Sequence, residues 1–271
     1  MAPVLRVSLA QFNVKKGNPR VNWSRVQQLV GEAQRQGGHL VVLPELWDIG
    51  YALDKGKELA SSLGSGLFSQ VMSLAQQHNL YILGSMLEKR GLGISNTAAL
   101  ISPKRGVLGA YRKLHLFPLM DEHKWLTPGE AALTFDLPWG RTAVAICYDL
   151  RFPELFRRYA AEGTRLVIVP AQWPHPRLEH FRTLVRARAI ENQMYVVAVN
   201  RVGGDDFDED AHQFATEFCG HSMVVDPWGN TVIELGEGEG VHTVDLDMEA
   251  VDQIRQEIPV LNDRRPEHYG Y

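Results

Sequence analysis

The sequence predicts an α/β protein in which buried strands alternate with helices. Two continuous apolar runs, residues 40–43 and 166–169, each end at a proline, as expected for strands covered on both faces. A helix-like spacing of apolar residues precedes the first run, and a helix with proline near its first turn precedes the second. This recurrence of strand, helix, strand and proline predicts two similar halves of one sheet system, within one domain spanning residues 1–271.

The first half begins with a strand whose apolar and polar residues alternate, and a helix with an Asn22 cap follows it. Pro44 ends the next strand because it removes a backbone donor, so Glu45 is presented at a strand end. The predicted elements are, in order, strand 5–12, helix 22–37, strand 40–43, helix 67–78 and strands 80–86, 97–101 and 106–111.

The second half places Cys147 between a strand and a helix, and it ends in a predicted hairpin around a Pro-Trp-Gly-Asn turn. The predicted elements are strand 142–146, helix 152–163, strand 166–169, helix 178–192, strand 195–200 and hairpin strands 223–226 and 231–235. From about residue 258 the chain loses periodicity, which predicts an extended tail of the kind that often contacts a partner.

The composition favours an intracellular enzyme or binding protein for small molecules. Two cysteines are too few for a disulfide framework, and the apolar run at residues 4–12 is too short and too interrupted for a secretory signal. We therefore expect a cytoplasmic protein. No apolar stretch approaches the roughly twenty residues that span a bilayer. A formal charge of −4 gives no basic surface for nucleic acid, so we expect a small-molecule partner.

Cys147 is the first candidate for a reactive group. Backbone N–H groups and the positive end of the following helix favour a thiolate at such a strand-to-helix junction. On position alone, a buried structural cysteine is the alternative, and Cys219 keeps that interpretation. The sequence around Cys147 lacks a papain-like or caspase-like motif with its histidine, so a carboxylate is the expected base.

Glu45, Lys113 and Glu122 are the charged candidates. Glu45 at its strand end is expected to point into a ligand cleft, although an ordinary ion pair is the alternative. Lys113 lies among apolar residues, where a lysine reaching out from the sheet edge is equally consistent with the sequence. Glu122 taken alone would be a solvated loop acid.

Four sequence blocks in the same order resemble the carbon-nitrogen hydrolase, or nitrilase-like, superfamily. They are Pro44-Glu45, Lys113-Leu-His-Leu-Phe117, Cys147-Tyr-Asp-Leu-Arg-Phe152 and Val169-Pro-Ala-Gln-Trp173. The resemblance runs from about residue 10 to 266, and the Asp121-Glu-His run and the block that begins at Cys147 and continues to Pro153 are most similar to omega-amidases. It implies a four-layer alpha-beta-beta-alpha sandwich, a face-to-face homodimer, and hydrolysis of the terminal amides of dicarboxylic acid monoamides.

The resemblance implies catalytic roles for Glu45, Lys113 and Cys147, with Glu122 as a second glutamate and no metal or cofactor. A positive charge on Lys113 is expected to lower the pKa of the thiol, so that Glu45 can remove its proton. Lys113 and the backbone N–H of Tyr148 are the expected donors to the oxyanion that forms during attack.

The residues that bind the substrate are harder to predict. Tyr51, Tyr148 and Trp173 lie on or beside the blocks, although aromatic residues are more often part of the core. An arginine suits a substrate carboxylate, and Arg151 is available unless it pairs with an acid. The expected acidic partners of Arg151 are Asp149 and Glu154, and the arginines expected to be solvated or in a subunit contact are Arg182, Arg186 and Arg188.

Two sequence patterns resemble metal-binding sites. The acidic run 205–210 has Ala211 where a calcium loop needs glycine, and His175 and His180 lack the helical spacing of a zinc pair. We therefore expect no metal.

Two other functions are consistent with the sequence. An N-carbamoyl amino compound hydrolase is the rival enzyme, and a non-catalytic binding member of the same fold is the rival of another class.

Overall fold

A computed structural model describes residues 4–205 and 216–269, and the strands in these residues form two six-stranded sheets and a short hairpin. The strands are β1 (Val4–Gln11), β2 (Leu40–Val42), β3 (Tyr81–Arg90), β4 (Gly93–Ser102), β5 (Gly106–Arg112), β6 (Thr134–Leu137), β7 (Gly140–Val144), β8 (Leu166–Ala171), β9 (Tyr195–Asn200), β10 (Val202–Asp205), β11 (Thr216–Cys219), β12 (Met223–Val225), β13 (Thr231–Glu234) and β14 (Gly240–Asp247).

The α-helices are α1 (Pro19–Arg35), α2 (Gly56–Leu59), α3 (Gly66–His78), α4 (Glu122–Trp125), α5 (Pro153–Ala161), α6 (Leu178–Asn192) and α7 (Ala250–Glu257). Short 3-10 helices occupy Leu53–Lys55, Pro118–Met120, Cys147–Arg151 and Pro266–His268. Within the described ranges, no helix combines the length and the apolar character that crossing a bilayer requires.

The two sheets share one design. The first sheet has the order β14-β1-β2-β3-β4-β5, with β1, β2 and β3 parallel and the outer strands antiparallel. The second has the order β13-β12-β9-β8-β7-β6, again with three parallel strands at its centre. The repeat predicted from the sequence therefore has a structural counterpart, but its two copies lie in separate sheets: β2 in the first and β8 in the second.

Alternation along β2 determines the layers. Leu40 and Val42 pack into the core between the sheets, whereas Val41 and Leu43 pack with residues of α1 and α3. Successive strand residues point to opposite faces, so a continuous apolar run is what a strand with two covered faces requires. Helices α5 and α6 cover the outer face of the second sheet with buried residues such as Phe156. The layers run helix, sheet, sheet, helix, and the four-layer sandwich is confirmed.

Several element boundaries differ from the expected ones. The strand before Cys147 ends at Val144, because residue 147 opens a 3-10 helix ahead of α5. Strands β3 and β4 form a longer hairpin than predicted, and β14 and α7 were not predicted at all. Strand β14 pairs along the whole of β1, more than two hundred residues away in the sequence, and local patterns do not encode that pairing. The predicted hairpin of β12 and β13 is confirmed.

Candidate active site

Cys147 lies where β7 gives way to α5, as the sequence predicts. It is the first residue of the 3-10 helix Cys147–Arg151, and its side chain is buried. Its φ of 44° lies in the left-handed region, which residues other than glycine seldom adopt. Such backbone strain persists only where surrounding contacts hold it, and it is common at reactive sites.

Glu45 follows β2, and its buried carboxylate accepts three hydrogen bonds. Oε1 accepts from Nζ of Lys113 and from Nδ2 of Asn96, both at 2.8 Å. Oε2 accepts from the backbone N–H of Gln172 at 3.0 Å. Three donors from three different segments of the chain fix the carboxylate in one orientation.

Lys113 and Glu122 complete a buried charged cluster with Glu45. The Lys113 ammonium, just beyond β5, lies 2.8 Å from Glu45 and 2.7 Å from Glu122, and all three side chains are fully buried. Glu122 also accepts from the Tyr51 hydroxyl at 3.0 Å and from the Phe117 N–H at 2.7 Å. The alternatives of a lysine at the sheet edge and of a solvated Glu122 are therefore wrong.

The cluster contains more acid than base. Burial opposes the charge on Lys113, but the carboxylates of Glu122 and Glu45 raise its pKa above the usual value, so it stays an ammonium. Burial raises the pKa of Glu122, and Lys113 opposes that rise. The cluster thus places one ammonium between two carboxylates.

The pKa of Cys147 differs from the expected direction. Burial raises the pKa of the thiol well above its usual value, the Glu45 charge adds to the rise, and Lys113 only opposes it. Lys113 does lower the thiol pKa, as expected, but desolvation of the sulfur and the charge on Glu45 outweigh its effect. The resting nucleophile candidate is a neutral thiol, and a nearby base must remove its proton.

A pocket opens beside the thiol, and three of the four predicted substrate-binding residues line it. Its described lining is Phe117, Cys147, Tyr148, Arg151, Gln172, Trp173, Pro174 and Arg177. The remaining candidate, Tyr51, is buried and donates its hydroxyl to Glu122. Tyr51 thus contacts the charged cluster and not the described wall of this pocket.

Two expectations about arginines are corrected. Arg151 lies over the Trp173 ring, with its guanidinium carbon 4.8 Å from the ring centroid, and its Nη2 is 3.3 Å from Nδ1 of His180. It does not take Asp149 as a partner, because that carboxylate accepts from other donors. Arg188 is buried and donates to the Leu150 carbonyl, so it is neither solvated nor free for a partner subunit.

Sequence reasoning missed several residues that support Glu45. Asn96 donates directly to the carboxylate, and the Gln172 side chain donates to the Glu45 carbonyl at 2.6 Å. Arg201, itself buried, donates to the Gln172 side-chain oxygen at 2.8 Å. Asn96 lies in a Ser95-Asn-Thr97 run that gave no separate signal, and Gln172 stood in the fourth sequence block.

No group of three or more His, Cys, Asp or Glu side chains in the described ranges is placed to hold a metal ion. Residues 206–210 of the acidic run and Ala211 lie outside the described residues. His175 and His180 have separate neighbours: Glu237 for the first and Arg151 for the second.

Comparison with known proteins identifies the family. The model of the carbon-nitrogen hydrolase family matches residues 6–256. The chain belongs to the carbon-nitrogen hydrolases. Relatives of this carbon-nitrogen hydrolase include the 2-oxoglutaramate amidase of Bacillus subtilis, 35% identical over 97% of this chain and 98% of that protein. The omega-amidase NIT2 of Mus musculus is 32% identical over 97% of this chain and 96% of its own length.

Solved structures agree with this assignment. The carbon-nitrogen hydrolase superfamily protein XC1258 of Xanthomonas campestris superimposes with a TM-score of 0.88 at 29% identity, covering 97% of this chain and 98% of that one. A glutamate-to-glutamine variant of the amidase from Nesterenkonia sp. AN1 superimposes with a TM-score of 0.83 at 27% identity, covering 97% of each chain. In that structure acrylamide has added to the active-site cysteine. The predicted family and fold are confirmed.

Proposed function

We propose that this carbon-nitrogen hydrolase cleaves the terminal amide of a small dicarboxylic acid monoamide, yielding a carboxylic acid and ammonia. One observation carries the proposal: a buried glutamate, lysine and glutamate cluster beside a buried cysteine that opens onto an arginine-lined pocket. The names of the relatives, 2-oxoglutaramate amidase and omega-amidase, support the substrate class.

The first half of the reaction forms a thioester. Glu45 removes the proton from the Cys147 thiol as sulfur attacks the amide carbonyl carbon. The high pKa of the buried thiol makes this coupled proton transfer necessary, because little thiolate exists beforehand. The carbon-nitrogen bond then breaks, and the proton held by Glu45 leaves with ammonia.

The second half of the reaction returns the free thiol. Glu45, again a carboxylate, removes a proton from a water molecule that attacks the thioester carbonyl. The carbon-sulfur bond breaks, the carboxylic acid leaves, and the proton returns to sulfur. The net reaction is amide plus water giving acid plus ammonia, with no redox step.

Lys113 and Tyr148 stabilise the oxyanion in this scheme. The lysine remains an ammonium, since two carboxylates raise its pKa, and the Tyr148 backbone N–H immediately follows the nucleophile. The contacts of Glu122 support a role in holding Lys113 rather than the substrate amide. Both of its oxygens already accept hydrogen bonds from protein donors.

Arg151 is our proposed clamp for the carboxylate at the far end of the substrate. Its planar guanidinium suits two carboxylate oxygens, and it lies in the pocket without a carboxylate partner among the described residues. Trp173 supports the guanidinium from one face. Arg177 lines the same pocket and is a second cation near the proposed position of the substrate carboxylate.

The test is ammonia release from 2-oxoglutaramate, succinamate and an N-carbamoyl amino acid, with wild type, Cys147→Ala and Cys219→Ala. We expect release from the first two substrates, none from Cys147→Ala, and wild-type rates from Cys219→Ala. Cys219 is a matched control because it is also buried, its burial raises its pKa to about 11, and its sulfur donates to the Trp173 carbonyl.

The rival functions predict different results. Release only from the N-carbamoyl compound would replace the substrate class and keep the mechanism. Iodoacetamide should label Cys147 much faster than Cys219, and intact mass measures both reactions. Equal or negligible labelling, with no turnover of any amide, would favour a non-catalytic binding protein.

We also infer a single domain, a homodimer and a cytoplasmic location, all of which stay predictions. Ile190 on α6 and Trp228 in the hairpin turn are about half exposed, which supports an apolar contact with a second copy. Light scattering after size-exclusion chromatography would measure the mass in solution. A mass of one chain at micromolar concentration would contradict the dimer.

A further inference from the structure

Asp149 is fully buried and accepts four hydrogen bonds, although the proposed reaction does not use it. Its Oδ2 accepts from the Ile146 N–H at 2.8 Å and from the Tyr111 hydroxyl at 2.7 Å. Its Oδ1 lies 3.1 Å from the His115 N–H and 2.7 Å from the His115 Nδ1. A carboxylate with about four lone-pair sites has its accepting capacity filled here.

These donors come from two segments of the chain. Ile146 precedes the nucleophile candidate Cys147, whereas Tyr111 and His115 flank Lys113 at two residues on either side. The first segment leaves the second sheet at β7, and the other segment leaves the first sheet at β5. Asp149 therefore joins the turn that carries the thiol to the segment that carries the ammonium.

We propose that Asp149 is a positioning residue that sets the spacing between the Cys147 sulfur and the Lys113 ammonium, with Tyr111 and His115 as its partners. The inference rests on the proposed function of that site. Apolar packing between the two sheets is non-directional, whereas hydrogen bonds to a buried carboxylate fix distance and angle. A misplacement of about 1 Å between reacting groups can cost a factor of about 100 in rate.

Two further contacts fit this role. The His115 ring stacks on Phe152 with centroids 3.5 Å apart and planes 8° apart, so the same two segments meet a second time. Cys147 has a left-handed backbone, and the hydrogen bond from the Ile146 N–H to the Asp149 carboxylate spans it. Contacts on both sides of the strained residue are what such a conformation needs.

The chain offers a matched pair of tyrosines for the test. The Tyr111 and Tyr159 side chains are both buried in the same apolar core, and each hydroxyl donates one hydrogen bond. Tyr111 donates to Asp149, whereas Tyr159 lies near both residues but donates to the Val144 carbonyl and makes no hydrogen bond to Asp149 among the described contacts.

The experiment measures kcat and KM for Tyr111→Phe, Tyr159→Phe and Asp149→Asn on the amide that wild type hydrolyses best. Removing one hydrogen bond to a charged group should lower kcat about tenfold in Tyr111→Phe, with KM within about twofold. Asp149→Asn should lower kcat about 100-fold. Tyr159→Phe should keep the wild-type kcat, while a loss of thermal stability should be similar in both tyrosine variants.

A second measurement does not depend on turnover. The rate of Cys147 alkylation by iodoacetamide, followed against pH by peptide mass, reports the ionisation of the thiol. If the Lys113 charge moves away from sulfur, the alkylation profile of Tyr111→Phe should shift to higher pH, and that of Tyr159→Phe should not.

The outcomes separate this inference from the proposed function. Wild-type kcat and alkylation profiles in both Tyr111→Phe and Asp149→Asn would overturn the positioning role while the amidase stands. A wild-type enzyme that cleaves no amide, together with the expected shift in alkylation, would overturn the proposed function alone. If Asp149→Asn fails to fold, the tyrosine pair still decides the question.

Discussion

The two sheets contribute different chemistry to one site. The segment after β2 presents Glu45, and the first sheet also supplies Lys113. This half therefore contributes two opposite charges that form an ion pair with each other. The end of β8, its counterpart in the repeat, presents a neutral Gln172 N–H to the Glu45 carboxylate. The second sheet also supplies the uncharged thiol of Cys147. Buried charges need partners, whereas a neutral nucleophile can be buried alone until a base acts on it.

After the complete loss expected in Cys147→Ala, the largest effect should come from the charged half. Glu45→Gln keeps the size of the side chain but removes the base, so kcat should fall about 1000-fold. Steady-state ammonia release measures the change. Glu88→Gln is the matched control, since Glu88 is also a buried carboxylate on the first sheet, paired with Arg112 away from the pocket. A similar loss in both variants would mean that the effect is structural.

Glu122→Gln should produce the next largest effect. Lys113 would lose one of its two carboxylates, and a hydrogen bond between charged groups is worth enough to change kcat about 10- to 100-fold. KM should change less, because we assign Glu122 to the lysine and not to the substrate. A large rise in KM with an unchanged kcat would reassign Glu122 to substrate binding.

In the half that supplies the thiol, Arg151 should affect binding more than chemistry. Arg151→Leu should raise KM for succinamate about tenfold or more, with little change in kcat, because it removes the clamp and leaves the thiol in place. The control is butanamide, a substrate of similar length without the carboxylate. On butanamide, wild type and Arg151→Leu should have similar KM values. A tenfold difference on both substrates would contradict the clamp.

The smallest effect on activity is expected from Asp48, a buried carboxyl in the charged half that lacks a partner for one oxygen. Burial raises the pKa of Asp48 to about 6, and its Oδ1 has no hydrogen-bond partner among the described residues. A raised pKa in the folded state means that its contribution to stability is present below about pH 4 and is lost as pH rises through about 6.

Asp48→Asn should therefore gain stability relative to wild type by up to about 3 kcal/mol between pH 4 and pH 7, since two pKa units correspond to that free energy. Urea unfolding at both pH values measures the difference. Parallel stability curves for the two proteins would show that Asp48 does not titrate in this range. Activity at pH 7 should stay within about twofold of wild type.

The sequence located the site residues through short local features. Prolines after apolar runs placed Glu45 at a strand end, and the strand-to-helix junction placed Cys147. The four ordered blocks predicted the family, and the periodic apolar runs predicted most strands and helices. The sequence did not predict the supporting contacts of Asn96, Gln172 and Asp149, because each of these residues contacts a partner from a distant segment.

Residue types and their local order therefore determined the α/β class, the family and the identity of the candidate catalytic groups. The alternation of apolar and polar residues and the placement of prolines involve only neighbouring residues, so both can be read from the sequence. Only the tertiary structure decided that the Cys147 thiol is neutral at rest, that Glu122 is buried against Lys113, and that β14 closes the first sheet. Desolvation and charge pairing depend on which distant segments pack together, and the spacing of residues along the chain does not specify that packing.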